Sequence, residues 1–211
     1  MRRLHLPYPI AGNEETHVSS AADSNLVLQI IVASTRPGRV GLPIAEWVRD
    51  HAIARGFEVD FADLALIDLP FFNESKHPRL KQYEHQHTKN WSARVEAADA
   101  FIIVLPEYNH SFTAPLKNAI DYVFQEWARK PVALVSYGGI AGGTRAVQAL
   151  KPVLVVLKMT PLVEGITIPF AGNLIKNGAF EPTPSIESSL GPMFDELELI
   201  SNTLKPLRSR S

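Results

Sequence analysis

The amino-acid sequence predicts an α/β fold, a doubly wound sheet of five parallel strands with helices on both faces. Two observations lead to this prediction. Apolar segments of strand length alternate with longer segments of helical periodicity, about five times along the chain. The strand segments are apolar almost throughout, which is typical of strands buried on both faces of a parallel sheet. Because crossover connections are right-handed, few topologies remain, and the strand order 2-1-3-4-5 fits the count best.

The first strand and helix lie in the region after residue 25. Residues 26–34, LVLQIIVAS, are rich in β-branched residues and predict a fully buried strand. A helix is predicted from Pro43, because proline is tolerated in the first turn, and Gly56 follows the helix end. One face of this helix carries Ile44, Val48 and Ala52.

The second strand and helix are separated by a long connection. Residues 57–64, FEVDFADL, alternate apolar and acidic residues, which predicts a half-exposed strand near an edge of the sheet. Residues 67–90 are polar and interrupted by prolines, so they predict a loop with one helical turn. Trp91, Val95 and Ala98 mark the face of the next helix.

A second buried strand is predicted in residues 98–109, ADAFIIVLPEYN, and it ends abruptly at Pro106. The helix predicted after it covers residues 115–127. Apolar residues recur there at i, i+3, i+4, i+7, i+8 and i+11, which is a strong helical pattern. These residues are Leu116, Ala119, Ile120, Val123, Phe124 and Trp127.

The last third of the chain continues the alternation. Residues 130–139, KPVALVSYGG, predict a third buried strand, and residues 142–159 predict a helix with a kink or break at Pro152. Residues 160–170, TPLVEGITIPF, predict one further strand, and residues 171–185 a polar excursion. The last helix carries on one side Ile186, Leu190, Met193, Leu197, Ile200 and Leu204.

Composition limits the class of protein. The chain has 211 residues, of which 45% are hydrophobic and 20% charged, and this suits one globular domain. The formal net charge of −1 provides no overall field that would attract nucleic acid or an anionic membrane. The absence of cysteine excludes disulfides and thiolate catalysis, so redox chemistry requires a bound cofactor.

The chain is predicted to consist of three parts. Residues 1–25 are rich in polar and turn-forming residues and contain no apolar core of a signal peptide, which predicts a flexible leader. A short binding arm is the alternative for this segment. Residues 26–205 form the single domain and residues 206–211 a frayed tail. No apolar run is long enough to span a bilayer. We expect a cytoplasmic protein.

Three loops follow strands 1, 3 and 4, and the carboxyl ends of these strands are where such sheets bind ligands. The first loop, STRPGRVG at residues 34–41, offers hydroxyl groups, two guanidinium groups and the start of a helix. These groups suit a phosphate. The loop lacks the Gly-Lys-Ser/Thr ending of a Walker loop and the dinucleotide fingerprint. A polar loop with solvated arginines is the alternative.

The other two loops have different chemistry. Residues 105–121, LPEYNHSFTAPLKNAID, offer main-chain amides against which a flat heteroaromatic ring could lie. A loop that caps the following helix through Ser111 or Thr113 is the alternative. Residues 136–143, SYGGIAGG, contain four glycines, which allow a ligand close to the backbone, and a plain turn is the alternative.

The three segments ASTRPGRVG, LPEYNHSFTAPLKNAID and SYGGIAGGTRA, in this order and spacing, resemble the NADPH-dependent FMN reductase family. That family has a flavodoxin-like fold and includes quinone, azo-dye and chromate reductases. The resemblance spans residues 26–168, and the middle motif is its most specific part. Residues 1–25 and 76–89 have no counterpart in the family pattern.

The resemblance implies which residues contact FMN. The phosphate is expected to be held by Ser34, Arg36 and Arg39 together with the amides of Val40 and Gly41. The ring system is expected to border Pro106, Glu107, Tyr108 and Asn109. The pyrimidine edge of the ring is expected near Ser136, Tyr137, Gly138 and Gly139. No side chain is expected to act as a catalytic acid or base, because the flavin carries the chemistry.

The resemblance also implies an activity. It implies an FMN-dependent oxidoreductase that takes NADPH or NADH as co-substrate and passes hydride through flavin N5, in ping-pong order, to a quinone, azo compound or similar acceptor. A homodimer or homotetramer through helix 115–127 is expected, since family members commonly assemble in this way. An FMN-binding redox sensor that contacts a partner and turns over little is the alternative.

A metal site is the remaining possibility that the sequence raises. His85 and His87 are separated by one residue, but an isolated pair of this kind in a polar loop favours solvated side chains. We therefore predict no metal.

Overall fold

The computed structural model describes residues 26–208, and its main sheet has six parallel strands. The strands are β1 (Val27–Val32), β2 (Glu58–Asp63), β3 (Ala100–Pro106), β4 (Pro131–Gly138), β5 (Thr160–Pro161) and β6 (Ile166–Pro169). Their order is β2-β1-β3-β4-β5, with β6 also paired to β4. The predicted order 2-1-3-4-5 is confirmed.

Helices cover both faces of this sheet. They are α1 (Gly41–Ala54), α2 (Leu64–Ile67), α3 (Gln86–Ala97), α4 (Ala114–Asp121), α5 (Thr144–Val156), α6 (Pro184–Ser188) and α7 (Leu190–Arg208). Helices α1 and α7 pack on one face, where Val48 and Phe194 lie in the same apolar cluster. Helices α3, α4 and α5 pack on the other face through Trp91, Leu116 and Leu150. The sheet is therefore buried on both sides, as its apolar strands require.

The predicted strand at residues 160–170 is in fact two short strands. Val132 of β4 pairs with Pro161 of β5, and Val135 of β4 pairs with Ile166 of β6. Between these two pairs, β4 has two residues, whereas the segment that joins β5 to β6 has four. A Cβ atom built on Gly165 would lie 2.8 Å from the Leu134 carbonyl oxygen. The extra residues interrupt the ladder, as a bulge does.

The predicted helix 115–127 is also wrong in its length, because α4 ends at Asp121. The indole N–H of Trp91 donates to the Ala119 carbonyl at 2.7 Å, and that of Trp127 donates to the Ile120 carbonyl at 3.2 Å. These indoles take carbonyl oxygens that another helical turn would use. A short 3₁₀ helix, Gln125–Trp127, follows.

The C-terminal region differs from the prediction in two further respects. The excursion at residues 171–185 contains a hairpin of β7 (Ile175–Lys176) and β8 (Ala179–Phe180) around Asn177 and Gly178, whose φ angles are 52° and 84°. Asn-Gly with two positive φ angles is the two-residue hairpin signal. The predicted last helix is divided into α6 and α7, and α7 continues to Arg208, past the predicted domain end at residue 205.

Two further expectations concern the ends of the chain and the membrane. The predicted leader, residues 1–25, and the last three residues of the chain lie outside the described residues. Between residues 26 and 208, no helix combines the length and apolar character that a bilayer crossing requires.

Candidate functional site

The three loops predicted from the sequence lie together at the carboxyl ends of β1, β3 and β4. The Ser34 and Tyr108 hydroxyl oxygens are 2.9 Å apart, which joins the first loop to the second. The Glu107 N–H donates to the Tyr137 carbonyl at 3.0 Å, which joins the second loop to the third. The edge of the sheet where ligands bind in doubly wound folds therefore carries all three segments.

The first loop contains a tight turn. The Arg39 N–H donates to the Arg36 carbonyl at 3.1 Å, and Gly38 between them has a φ of 68°. Proline followed by a left-handed glycine is typical of a type II turn. Arg36 is exposed, and the described residues supply no hydrogen-bond or ion-pair partner for its side chain. Its guanidinium group is thus available to a ligand.

Arg39, which the resemblance assigns to the phosphate, has partners within the protein. Its guanidinium donates to the Ser34 carbonyl at 2.8 Å and forms an ion pair with Asp63 at the end of β2. The two side chains are only 12% and 5% exposed. Because both partners belong to the protein, Arg39 first of all fixes the shape of the loop.

The start of α1 is a favourable place for an anion. Val40 precedes the helix, no side chain caps the helix start, and the first turn contains no acidic residue. The amides at Val40 and Gly41 therefore meet the positive end of the helix dipole without a competing carboxylate. This arrangement is the one in which helix N-termini bind phosphate.

The second loop is a two-residue turn with an unusual backbone. Tyr108 and Ser111 exchange main-chain hydrogen bonds of 2.9 and 3.0 Å, and Asn109 and His110 between them have φ angles of 49° and 65°. Two successive non-glycine residues with positive φ are strained, and such strain is concentrated at functional sites. The Tyr108 N–H is used within the turn, and the Glu107 N–H is used by β4. The amides of Asn109 and His110 have no hydrogen-bond partner within residues 26–208.

The carboxylate of Glu107 is fixed by the protein. It accepts the Arg145 N–H at 3.2 Å and pairs with the Arg145 guanidinium at 2.5 Å. Glu107 therefore caps the first turn of α5, where a negative charge is favourable. The carboxylate fastens the second loop to the third and is not free to act as a base.

Thr113 fastens the other end of the second loop. Its hydroxyl donates to the Ala33 carbonyl at 2.7 Å and accepts the Leu116 N–H at 3.3 Å. The predicted cap of α4 is therefore Thr113 rather than Ser111. The same hydroxyl joins the end of β1 to the start of α4.

The third loop is tightly packed. The Ser136 hydroxyl is fully buried and donates to the Gly142 carbonyl at 2.9 Å, so it holds the loop and does not face the open edge. Gly143 has a φ of 91°, and a Cβ atom there would lie 2.8 Å from the Tyr137 nitrogen. Gly139, by contrast, has open space around it. A ligand could therefore approach the backbone at Gly139 most easily.

Tyr137, which the resemblance places near the pyrimidine edge, has its hydroxyl at the start of α1. A Cβ atom built on Gly41 would lie 2.3 Å from the Tyr137 hydroxyl oxygen, so the phenol packs under the start of α1. Tyr137 is 5% exposed, and its hydroxyl has no hydrogen-bond partner among the described residues. Burial raises the pKa of this hydroxyl, so it remains protonated.

Sequence reasoning missed two charged residues of this edge. Asp63 pairs with Arg39, and Arg145 pairs with Glu107. Asp63 is the last residue of β2 and Arg145 follows the glycine loop, which places both near the ends of sheet strands. This position in the sequence could have indicated that both residues belong to the site. Which residue each of them pairs with can be known only from the folded structure.

A large surface cavity among the described residues lies away from these loops. It has a volume of about 840 Å³ and is lined by residues 72–79, the end of α4 and the outward face of α5. The three loops lie side by side along the edge of the sheet. His85 and His87 stack at 5.1 Å and both contact Asn73. Among the described residues, no group of three or more His, Cys, Asp or Glu side chains is arranged to hold a metal ion.

Comparison with known proteins identifies relatives. Residues 27–172 match the family model of NADPH-dependent FMN reductases. An NAD(P)H-dependent FMN reductase of Schizosaccharomyces pombe is 36% identical over 171 residues, which cover 78% of this chain and 83% of that protein. An NAD(P)H:quinone oxidoreductase of Solanum tuberosum is 36% identical over 107 residues, 49% of this chain and 53% of that protein.

Among solved structures, the flavoenzyme NAD(P)H:(acceptor) oxidoreductase FerB from Paracoccus denitrificans has a similar fold. The TM-score is 0.67 with 22% sequence identity, and the match covers 84% of this chain and 98% of that chain. At this identity the likeness supports the flavodoxin-like fold alone.

Proposed function

The chain belongs to the NADPH-dependent FMN reductase family, and from that premise we propose that it transfers hydride from NAD(P)H to quinones, azo compounds or similar acceptors in ping-pong order. As a member of this family it is an oxidoreductase with FMN as cofactor and NAD(P)H as reductant. The observation that carries the proposal is the start of α1. It has no side-chain cap and no acidic residue in its first turn, and Arg36, which has no partner within residues 26–208, lies in the loop before it.

The residues at the first loop fit the phosphate of FMN. The proposed contacts are the Arg36 guanidinium and the amides of Val40 and Gly41, with Ser34 and Arg39 shaping the loop behind them. The guanidinium provides a charge-assisted hydrogen bond, and the helix start provides main-chain donors. The unpartnered Tyr137 hydroxyl beside Gly41 is a further donor that a bound anion would satisfy.

The other two loops fit the ring system. The proposed contacts are the segment from Pro106 to Asn109 and the backbone at Gly138 and Gly139. The amides of Asn109 and His110 lie at the tip of the second loop and have no hydrogen-bond partner within residues 26–208, whereas those of Glu107 and Tyr108 are used internally. Donors fixed in this way stabilise negative charge as it develops in a ligand.

The cofactor and the protein have different functions in the proposed reaction. Bound FMN would accept and donate the hydride, which is chemistry that side chains do not provide. The first loop would hold the phosphate, and the second and third loops would border the ring. Parallel double-reciprocal plots of initial rate would support the ping-pong order, and intersecting lines would contradict it.

We expect replacement of Arg36 by alanine to weaken FMN binding by about 10- to 100-fold, because a charge-assisted contact to phosphate is lost. The turnover of each flavin that remains bound should be nearly unchanged. Titration of the apoprotein with FMN measures the first quantity, and the steady-state rate divided by flavin content measures the second.

The matched control is Arg49→Ala, since Arg49 is a surface arginine whose partner is Asp50. It should bind FMN as the unchanged protein does. A protein that shows no visible flavin absorbance after incubation with FMN would overturn the proposed function. A protein that binds FMN but does not bleach with anaerobic NADPH, or bleaches and then turns over slowly with quinone, would favour a redox sensor.

The proposed assembly is a homodimer or homotetramer in which the face that contains the large surface cavity contacts a second copy of the chain. Its lining contains apolar residues of the α4 end and of α5, and Val156 on α5 is 65% exposed. A second copy that covered this face would bury such residues, as subunit interfaces do. Because α4 ends at Asp121, the proposed contact uses the segment 117–124 together with α5 rather than one long helix.

We expect Val156→Arg to halve the molar mass in solution, because a charge at the centre of an apolar interface is desolvated without a partner. Light scattering after size exclusion measures the mass. Leu199→Arg is the matched control, since Leu199 is similarly exposed on α7 and lies outside this face. An unchanged mass for both variants would contradict the proposed interface.

The proposed location is the cytoplasm. Support for this location comes from the reductant, because NAD(P)H is held within cells. Fractionation of cells and assay of the soluble fraction would test the location.

A further inference from the structure

We propose that the buried hydroxyl of Tyr137 donates a hydrogen bond to the cofactor phosphate and thereby distinguishes FMN from riboflavin. This inference rests on the proposed function and deepens it. The resemblance to the family placed Tyr137 near the pyrimidine edge of the ring. The geometry instead places its hydroxyl at the start of α1, where the phosphate is proposed to bind.

The position of the phenol is the first observation. Tyr137 extends from the end of β4 into the same apolar cluster as α1 residues Ile44 and Ala45. Its hydroxyl oxygen lies so close to Gly41 that a Cβ atom there would be 2.3 Å away. Glycine at the first residue of α1 therefore makes room for this hydroxyl beneath the main-chain amides that face the anion.

The missing partner is the second observation. The Tyr137 hydroxyl is buried, and no group among residues 26–208 forms a hydrogen bond of good geometry with it. The nearby Ser34 and Tyr108 hydroxyls are paired with each other at 2.9 Å. A buried hydroxyl without a partner costs free energy that a phenylalanine of the same shape would avoid. A ligand that brings an acceptor to this hydroxyl would remove that cost.

The protonation state is the third observation. Burial raises the pKa of the Tyr137 hydroxyl, and the neighbouring Ser34 hydroxyl and Arg39 guanidinium oppose only part of that rise. The phenol is thus a neutral donor at physiological pH. A neutral donor beside a phosphate forms a charge-assisted hydrogen bond without adding repulsion. A phenolate would repel the phosphate.

Two phenol variants provide the test. Tyr137→Phe should lower the preference of the apoprotein for FMN over riboflavin by about tenfold, since riboflavin has no phosphate for the hydroxyl to contact. Tyr83→Phe is the matched control, because the Tyr83 hydroxyl donates to Glu126 at 2.7 Å, far from the site. It should leave the preference unchanged. The dissociation constants of FMN and riboflavin are measured by quenching of flavin fluorescence.

The stability of the apoprotein provides a second readout. Tyr137→Phe removes a hydroxyl that has no partner within residues 26–208, so its melting temperature should equal or exceed that of the unchanged apoprotein. Loss of the partnered Tyr83 hydroxyl should lower it. If Tyr137→Phe unfolds or melts much lower than the unchanged apoprotein, the hydroxyl has a partner in the free protein, such as a buried water, and the inference is overturned.

A third readout uses the unchanged protein. With tyrosine labelled by ¹³C at Cζ, the Tyr137 signal should shift when inorganic phosphate or FMN is added and should shift less with riboflavin. The outcomes separate the proposed function from the role of the phenol. If the unchanged protein binds no FMN, the proposed function fails. If it prefers FMN and Tyr137→Phe keeps the same preference, only the role of Tyr137 fails.

Discussion

Replacement of Gly143 by alanine is expected to lower the free energy of unfolding by about 3–5 kcal/mol. Two effects add. Gly143 has a φ of 91°, which an alanine adopts only with strain. A methyl group there would also lie 2.7 Å from the Ser136 Cβ atom and 2.8 Å from the Tyr137 nitrogen. The second of these contacts is with backbone of a central strand and cannot be relieved by a side-chain rotation.

Urea denaturation followed by circular dichroism measures this loss. Gly139→Ala is the matched control, because Gly139 belongs to the same glycine loop and has no atom within 4 Å of the built Cβ. We expect it to change the free energy of unfolding by less than about 1 kcal/mol. Similar values for the two variants would show that the loop rearranges freely, contrary to its tight packing against β4.

The second large effect is expected for Asp63→Ala, which should destabilise the protein by about 3–5 kcal/mol. The substitution leaves the largely buried Arg39 guanidinium without its counter-charge. It also removes the acceptor of the Ala65 N–H at the start of α2. Because Arg39 holds the Ser34 carbonyl, the first loop should lose its shape, and FMN binding should weaken together with stability.

Asp50→Ala is the control for this prediction. Asp50 also forms an ion pair with an arginine, but the pair lies on the surface, where such pairs contribute about 0–1 kcal/mol. Denaturation in urea and FMN titration should show little change. An Asp63→Ala variant as stable as Asp50→Ala would mean that Arg39 reaches solvent or another partner when its carboxylate is removed.

The sequence was a good guide to the sheet, because strands that are apolar on both faces are typical of the interior of a parallel sheet. It was a poorer guide to the length of α4. Residues 115–127 keep a helical pattern throughout, yet the indole groups of Trp91 and Trp127 take carbonyls from the last turn. Trp91 belongs to another helix, so no local pattern could have predicted this end.

The candidate site was likewise predictable from the sequence only in part. The three loops were recognisable because short motifs follow buried strands, and the fold then brings the strand ends together. The partners within the site were not recognisable. Arg39 and Asp63 are 24 residues apart, and Glu107 and Arg145 are 38 apart, so their pairing depends on strand order and register. The position of the Tyr137 hydroxyl beside Gly41 depends on the direction of one side chain.

Helix α5 extends from Glu107 at the strand ends to the outer face of the molecule. The helix begins at the carboxylate that borders the second loop, and its 13 residues end at the exposed Val156. At 1.5 Å of rise per residue, this is a rod of about 20 Å. One continuous helix therefore joins the edge of the sheet that carries the three loops to the apolar outer face at Val156.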